Sequence, residues 1–258
     1  KIFIETTVLY GYANSTAEEF TKNNDIKFVA VNSHDEYLSL LTYSDTDNSS
    51  YKSAIDELSQ LGIINGFEDG TFKPQDNVTR AQAATMFATA LGYSDTKYQN
   101  IATDKAVFSD FLMSHWAYKY ADYVMKSADI SSGETNCILS GFEDGTFRPD
   151  NNVTIIQLLK MAICSLGEDG YMAEAVENGG YPNGYNTVAG KYGFSKSIAV
   201  DDINQPATRE QTAQIISNTI NMPIKRFGAI NSITAYHKTE SEKFLVTYDG
   251  SKEYYPLT

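Results

Sequence analysis

A mainly α fold, built from three tandem helix–loop–helix units, is what this sequence predicts. Three observations carry the prediction. The run Gly66-Phe67-Glu68-Asp69-Gly70-Thr71-Phe72-Lys73-Pro74 returns 75 residues on as Gly141-Phe142-Glu143-Asp144-Gly145-Thr146-Phe147-Arg148-Pro149. At matched spacing, Val78-Thr79 and Val153-Thr154 lead into apolar stretches closing on Leu91-Gly92 and Leu166-Gly167. A third start, Ala207-Thr208-Arg209-Glu210-Gln211, opens a similar stretch without its own copy of the run. A fixed period marks a repeat architecture, in which each unit needs its neighbours to bury its apolar face.

The flank at 1–42 reads as β and α. Lys1–Tyr10 and Ile26–Val31 are rich in β-branched and aromatic residues, as strands are. Ser15-x-x-Glu18 and Ser33-x-x-Glu36 each match a capping box and predict short helices.

Unit one is expected over 43–93. Ala54, Ile55, Leu58 and Leu61 fall on one helical face, and Gly62 is placed to end that helix in the left-handed conformation. Gly70 supplies the positive φ of a tight turn after Asp69, and Gly145 does the same in the second copy. Thr79 and Gln82 then form a capping box. The helix behind them presents Ala84, Phe87, Ala88 and Leu91.

Unit two, over 94–167, repeats the plan. Its first helix presents Trp116, Tyr120, Ala121 and Val124. An insertion follows at Asp129–Asn136, and Thr154 with Gln157 caps the second helix. Unit three, over 168–223, has lost the Asp-Gly turn. Its first helix carries Tyr185, Val188, Ala189 and Tyr192. Thr208 and Gln211 cap its second helix, and Pro223 stops it. The tail at 224–258 is β-prone, with a strand at Ala229–Tyr236 and a hairpin around Asp249-Gly250. It pairs with the N-terminal strands, begins a further domain, or joins a neighbouring subunit.

Composition excludes several classes of function. A net charge of −13 over 258 residues opposes binding to nucleic acid or to anionic lipid. No apolar run approaches the roughly 20 residues of a membrane span. The three histidines are scattered and no metal-ligand spacing is present, so neither a metal nor a cofactor is expected. Cys137 and Cys164, 27 residues apart, are either two buried thiols or a disulfide. Glu68-Asp69 and Glu143-Asp144 could serve acid–base work on sugars. Their repetition is explained by the turn, and no nucleophile set accompanies them, so no catalytic residue is expected.

Chemistry concentrates at the starts of the second helices. A helix N-terminus offers unpaired N–H groups and partial positive charge, a ready anion site. Arg80 and Arg209 hold the first helical position in units one and three, where Arg can clamp a carboxylate or phosphate. The structural alternative is a salt bridge to a neighbouring unit's acid. Trp116 can stack on a sugar or anchor the core. Asp45 and Asp110, before the first helices, read as caps.

The pattern of aromatic-x-Asp, a helix, Gly-Ile-x-x-Gly, Asp-Gly-Thr-Phe-basic-Pro, then Thr-Arg and a helix ending Leu-Gly resembles the S-layer homology (SLH) repeat, over roughly residues 43–222. The stretch Gly179-Gly180-Tyr181-Pro182-Asn183-Gly184-Tyr185 resembles forms found in Gram-positive anaerobes. The resemblance implies three units in a pseudo-threefold bundle, on the outside of the cell, in the cell wall or surface layer. It implies grooves that bind an acidic, pyruvylated secondary cell-wall polysaccharide and so anchor a surface protein non-covalently. Carried over by position, Arg80, Arg209, Trp116, Gln82, Gln211 and Tyr51 are the candidate polysaccharide-binding residues, with the Tyr181-Pro182 pair at the place of Trp116 in unit three. Ile155 replaces the motif Arg in unit two, so that groove is expected to bind poorly or to serve only packing. Gln stands where the motif usually has an acid. The competing reading is a structural subunit that assembles with identical copies into a surface layer or filament through its terminal β segments.

Overall fold

Each of the three second helices is started by its neighbour. A computed structural model of the chain describes residues 8–11, 14, 18–19, 22, 27–30, 42–99, 102, 106–127, 138–166, 168–199, 201–230 and 233–243. In chain order the elements are β1 (Val8–Gly11), β2 (Lys27–Ala30), α1 (Lys52–Gln60), α2 (Arg80–Ala90), α3 (Asp95–Gln99), α4 (Tyr118–Ser127) and α5 (Ile155–Ser165). A π-helical turn at Glu168–Met172 leads into α6 (Ala173–Glu177), followed by α7 (Asn183–Tyr192), α8 (Arg209–Ile220), β3 (Pro223–Ile230) and β4 (Ile233–Lys243). The fold is mainly α, with α1–α2, α4–α5 and α7–α8 as the three helix–loop–helix pairs.

Capping shows why the repeated motif takes this form. The first four N–H groups of an α-helix have no partner within it. At α2, Thr79 N–H donates to Gln82 Oε1 (2.9 Å) and Gln82 N–H to Thr79 Oγ1 (3.2 Å). The remaining two, from Arg80 and Ala81, donate to the carbonyls of Asn151 and Pro149 in unit two, both at 2.9 Å. At α5, Thr154 and Gln157 close the same box. Ile155 and Ile156 there donate to Gln205 and Ile203 of unit three (3.2 and 2.9 Å). At α8, Thr208 and Gln211 close it again. Arg209 and Glu210 donate to Asp76 and Pro74 of unit one (2.9 and 3.1 Å).

A closed ring of backbone hydrogen bonds joins the units just before these helices. Val78 N–H donates to Ala207 O (3.0 Å), Ala207 N–H to Val153 O (2.9 Å) and Val153 N–H to Val78 O (2.9 Å). All three side chains are fully buried. Around this axis α2 packs on α4, α5 on α7, and α8 on α1, so each second helix meets the first helix of the next unit. Phe72 and Phe147, from the two turns, lie in the shared core with Ile55, Leu58, Ile155, Leu158 and Phe194.

Several expectations change. Leu61 caps α1 and is 38 % exposed, not on the buried face. Trp116 precedes α4 and is 55 % exposed, so it is neither on that helix face nor a core anchor. Asp45 and Asp110 do not cap helices. Asp45 accepts the N–H groups of Phe72 and Lys73 (both 2.8 Å), and Asp110 those of Phe147 and Arg148 (2.7 and 2.8 Å). Each carboxylate thus pins the turn of its own unit. The strand expected at Ala229–Tyr236 is the heart of an antiparallel hairpin, with Ile230 opposite Ile233.

At the other end, β1 and β2 pair in parallel. Residues 18–19 between them are helical, and Glu18 accepts Asn14 N–H and pairs with Lys22 (2.8 Å). The Ser33 helix, the 249–250 hairpin and Cys137 lie outside the described residues. Cys164 is buried, its sulfur 3.8 Å from the Tyr185 hydroxyl. Among the described residues no helix is long and apolar enough to cross a membrane, and no group of side chains could hold a metal ion.

Thr154→Ala should lower stability in a urea melt by about 1 kcal/mol, the usual cost of a lost cap. Val153→Pro, which deletes one N–H of the three-membered ring, should cost about 2 kcal/mol or more. A smaller loss for the proline than for the cap variant would contradict the ring's role.

Candidate functional site

The repeated turn is built the same way twice. Asp69 accepts both the N–H (3.0 Å) and the hydroxyl (2.5 Å) of Thr71, and Asp144 does so for Thr146 at the same distances. Gly70 and Gly145 both have φ of +77°. Lys73 and Arg148 hold φ near +56°, rare for residues with a side chain. That conformation lays each cation back over its turn, with Lys73 Nζ 4.0 Å from the Phe67 ring and the Arg148 guanidinium 3.9 Å from the Phe142 ring. Hydrogen bonds from Thr146 and Arg148 hold the Asp144 carboxyl down at about 2, so it is ionised at any ordinary pH.

Arg80 and Arg209 reach from one unit to the turn of another. Arg80 Nε donates to Phe147 O (2.8 Å) and Nη2 to Ser140 O (2.9 Å). Its guanidinium lies 4.8 Å from the Phe142 ring and 4.7 Å from Phe147. Arg209 repeats the contact on unit one, with Nε to Phe72 O (2.7 Å), Nη2 to Asn65 O (3.0 Å), and the rings of Phe67 and Phe72 at 4.9 and 4.5 Å. The sequence suggested helix N–H groups awaiting an anion, or a salt bridge to an acid. Neither is present. The N–H groups are satisfied by caps and neighbouring carbonyls, and both arginines bond to carbonyls.

This geometry accounts for Ile155. The position equivalent to Arg80 in unit two reaches toward unit three, whose loop lacks the Gly-Phe-Glu-Asp-Gly-Thr-Phe run. With no phenylalanine pair to flank a guanidinium, a fully buried isoleucine stands there. In that loop Asp202 makes a substitute turn, accepting Asn204 N–H (2.9 Å).

Two of the five N–H groups of a guanidinium are used by each clamp. Arg80 also lines a groove of about 660 Å³. Its walls include Ser140, Phe142 and Arg148 from the turn, Gln157 and Lys160 from α5, and Tyr181 from unit three. Burial pulls the Arg80 pKa down to about 10, which leaves it cationic at neutral pH. Burial also lowers that of Arg209 and raises that of the half-exposed Tyr181.

The other candidates lie as follows. Tyr51 is buried, and its hydroxyl accepts Ala199 N–H (3.4 Å) at the unit-three loop. Gln82 and Gln211 hold their caps, and Gln211 Nε2 also reaches Ala199 O (3.3 Å). Trp116 stands beside His115, ring centres 5.6 Å apart, and does not line the Arg80 groove. Sequence reasoning passed over Arg148 and Lys160. The signal for Arg148 was the basic residue repeated before each turn proline; Lys160 had none, because units one and three have Thr85 and Gln214 there.

A model of the S-layer homology domain matches residues 42–84 and 107–154. The chain carries S-layer homology repeats. Units one and two are the ones matched; unit three, without the turn, falls outside the match. Cell surface glycoprotein 1 of Acetivibrio thermocellus is 40% identical over 91 residues, covering 35% of this chain and 3% of that protein. The cellulosome-anchoring protein of the same organism is 36% identical over 92 residues, 36% of this chain and 18% of that one. The middle cell wall protein of Brevibacillus brevis is 25% identical over 170 residues, 66% of this chain and 14% of that one. The chain thus spans less than a fifth of the length of these relatives.

Gly66 and Gly141 are where the turn leaves no room for a side chain. A Cβ at Gly141 would sit 2.2 Å from Phe108 Cε1 and 2.7 Å from Thr146 O; at Gly66 the neighbours are Tyr43 and Thr71. Gly141→Ala should therefore displace the ring and the turn together, costing about 1–3 kcal/mol in a urea melt as overpacking does. Gly190→Ala, with open space around it, should cost nothing comparable.

Proposed function

We propose that this chain anchors a surface protein to the bacterial cell wall by holding an acidic, pyruvylated wall polysaccharide in the grooves between its units. Modules of this family attach surface proteins to the cell wall and surface layer and are generally non-catalytic. The chain belongs to the cell surface, in the wall or the surface layer.

One observation carries the reading. Arg80 is fixed by two carbonyls and two rings, and faces a groove that also contains Arg148. A guanidinium held this rigidly loses little freedom when it binds a carboxylate. It sits on a protein of net charge −13, so the polyanion needs such a local cluster. Tyr181 offers a ring for a sugar face. By the repeat register, Arg209, Lys73 and Trp116 hold the equivalent positions at the turn of unit one and are proposed as a second, weaker contact with the polymer. The third equivalent position, with Ile155 and the buried Tyr51, offers no cation.

The ribbon of β3 and β4 supports a second reading, assembly with identical copies along a sheet edge, since a two-stranded sheet has an edge on each side.

Pull-down with purified wall sacculi tests the first reading. Arg148→Asn combined with Tyr181→Ser spares the clamp and should reduce the bound fraction at least about tenfold, the scale of one lost charged contact and one lost ring. Unreduced binding, with an unchanged circular dichroism spectrum, would refute the groove.

A further inference from the structure

The Arg80 groove holds one cation that neither of the other units repeats. Lys160 lies on the second turn of α5, six residues after Thr154. The same place is Thr85 on α2 and Gln214 on α8, and both of those bond within their own helix. Thr85 Oγ1 donates to Ala81 O (3.1 Å), and Gln214 Nε2 to Asn218 Oδ1 (2.8 Å). Lys160 instead reaches across to the turn, where Nζ donates to Ser140 Oγ (3.0 Å). Ser140 also accepts Arg80 Nη2 on its carbonyl (2.9 Å). One residue therefore holds two cations, drawn from two units, at the same wall of the groove.

Two like charges on one residue repel unless an anion joins them. The acids lining the groove are Glu143 and Asp144, and Asp144 is bound by Arg148 (2.8 Å). Three cations thus face two acids. In the corresponding positions around Arg209 the count is two and two, Arg209 and Lys73 against Glu68 and Asp69, because Thr85 is neutral.

We propose that Lys160 is the specificity-determining residue of the Arg80 groove. With Arg80 it takes the carboxylate of an acidic sugar, Arg80 through the N–H groups its two carbonyl contacts leave over and Lys160 through the donors not used on Ser140. The surface around Arg209, which has Thr85 in place of this lysine, has no cation at that position to add to such a contact. The inference rests on the polysaccharide reading and assigns its charge selection to one groove and one side chain.

Isothermal titration of the chain with two probes tests it: a monosaccharide carrying a pyruvate ketal, and the same sugar without the ketal. Lys160→Thr, which installs the unit-one residue, should weaken binding of the ketal sugar about tenfold at low salt and flatten its salt dependence. Its affinity for the neutral sugar should not change. Lys160→Arg should restore the ketal sugar to within about twofold, because charge rather than shape is being read. Equal binding of the ketal sugar by the parent and Lys160→Thr would overturn the assignment and leave the polysaccharide reading standing. Equal losses for both sugars would also overturn it, making the lysine a support for the groove wall. If the parent binds neither sugar, both readings fall together.

Discussion

Buried guanidinium groups must find acceptors, and in this molecule the acceptors belong to another unit. Arg80 bonds two carbonyls of unit two, and Arg209 two of unit one. Each turn is thereby gripped from both sides. Phe147 gives its N–H to Asp110 in its own unit and its carbonyl to Arg80 in the other. Phe72 is gripped by Asp45 and Arg209 in the same way. A lone repeat would leave a helix with two orphan N–H groups, an arginine with no carbonyls and an apolar face open to water. Mutual dependence of this kind is what makes a repeat protein fold as one body.

Structure and the proposed recognition therefore share the same side chains. A long, flexible arginine becomes a fixed wall of a groove because folding already requires two of its hydrogen bonds. The third unit shows the converse. Once its turn had lost the phenylalanine pair, the position facing it had no use for a cation, and both parts of the site disappeared together. Two of the three interfaces thus carry an arginine clamp, and the third carries a buried isoleucine in its place.

Much of this was legible in the sequence. The period, the Thr-x-x-Gln boxes and the Asp-Gly turns are local signals, each tied to a hydrogen bond made within a few residues. What crosses between units was not legible. A repeat shows which positions are equivalent but not which neighbour each one touches, so Ile155 read as a lost ligand residue or a packing contact, without the altered loop it faces. Lys160 is unique to its unit and was invisible to any search for what recurs. Trp116 was assigned to a helix face because its spacing to Tyr120 is helical, although α4 begins only at Tyr118. The sequence between Ile230 and Ile233 has no glycine or proline, so two strands read as one. The helix α3 and the π-helical turn, at the starts of units two and three, were not anticipated.

Hydrogen–deuterium exchange measures the cross-unit grip directly. In Arg80→Ala, amide protection should fall in unit two's turn, residues 141–148, while the equivalent turn at 66–73 keeps its parent rate. In Arg209→Ala the pattern should reverse, with 66–73 exposed and 141–148 unchanged. Loss confined to the mutated residue's own unit, or spread equally over both turns, would contradict the account.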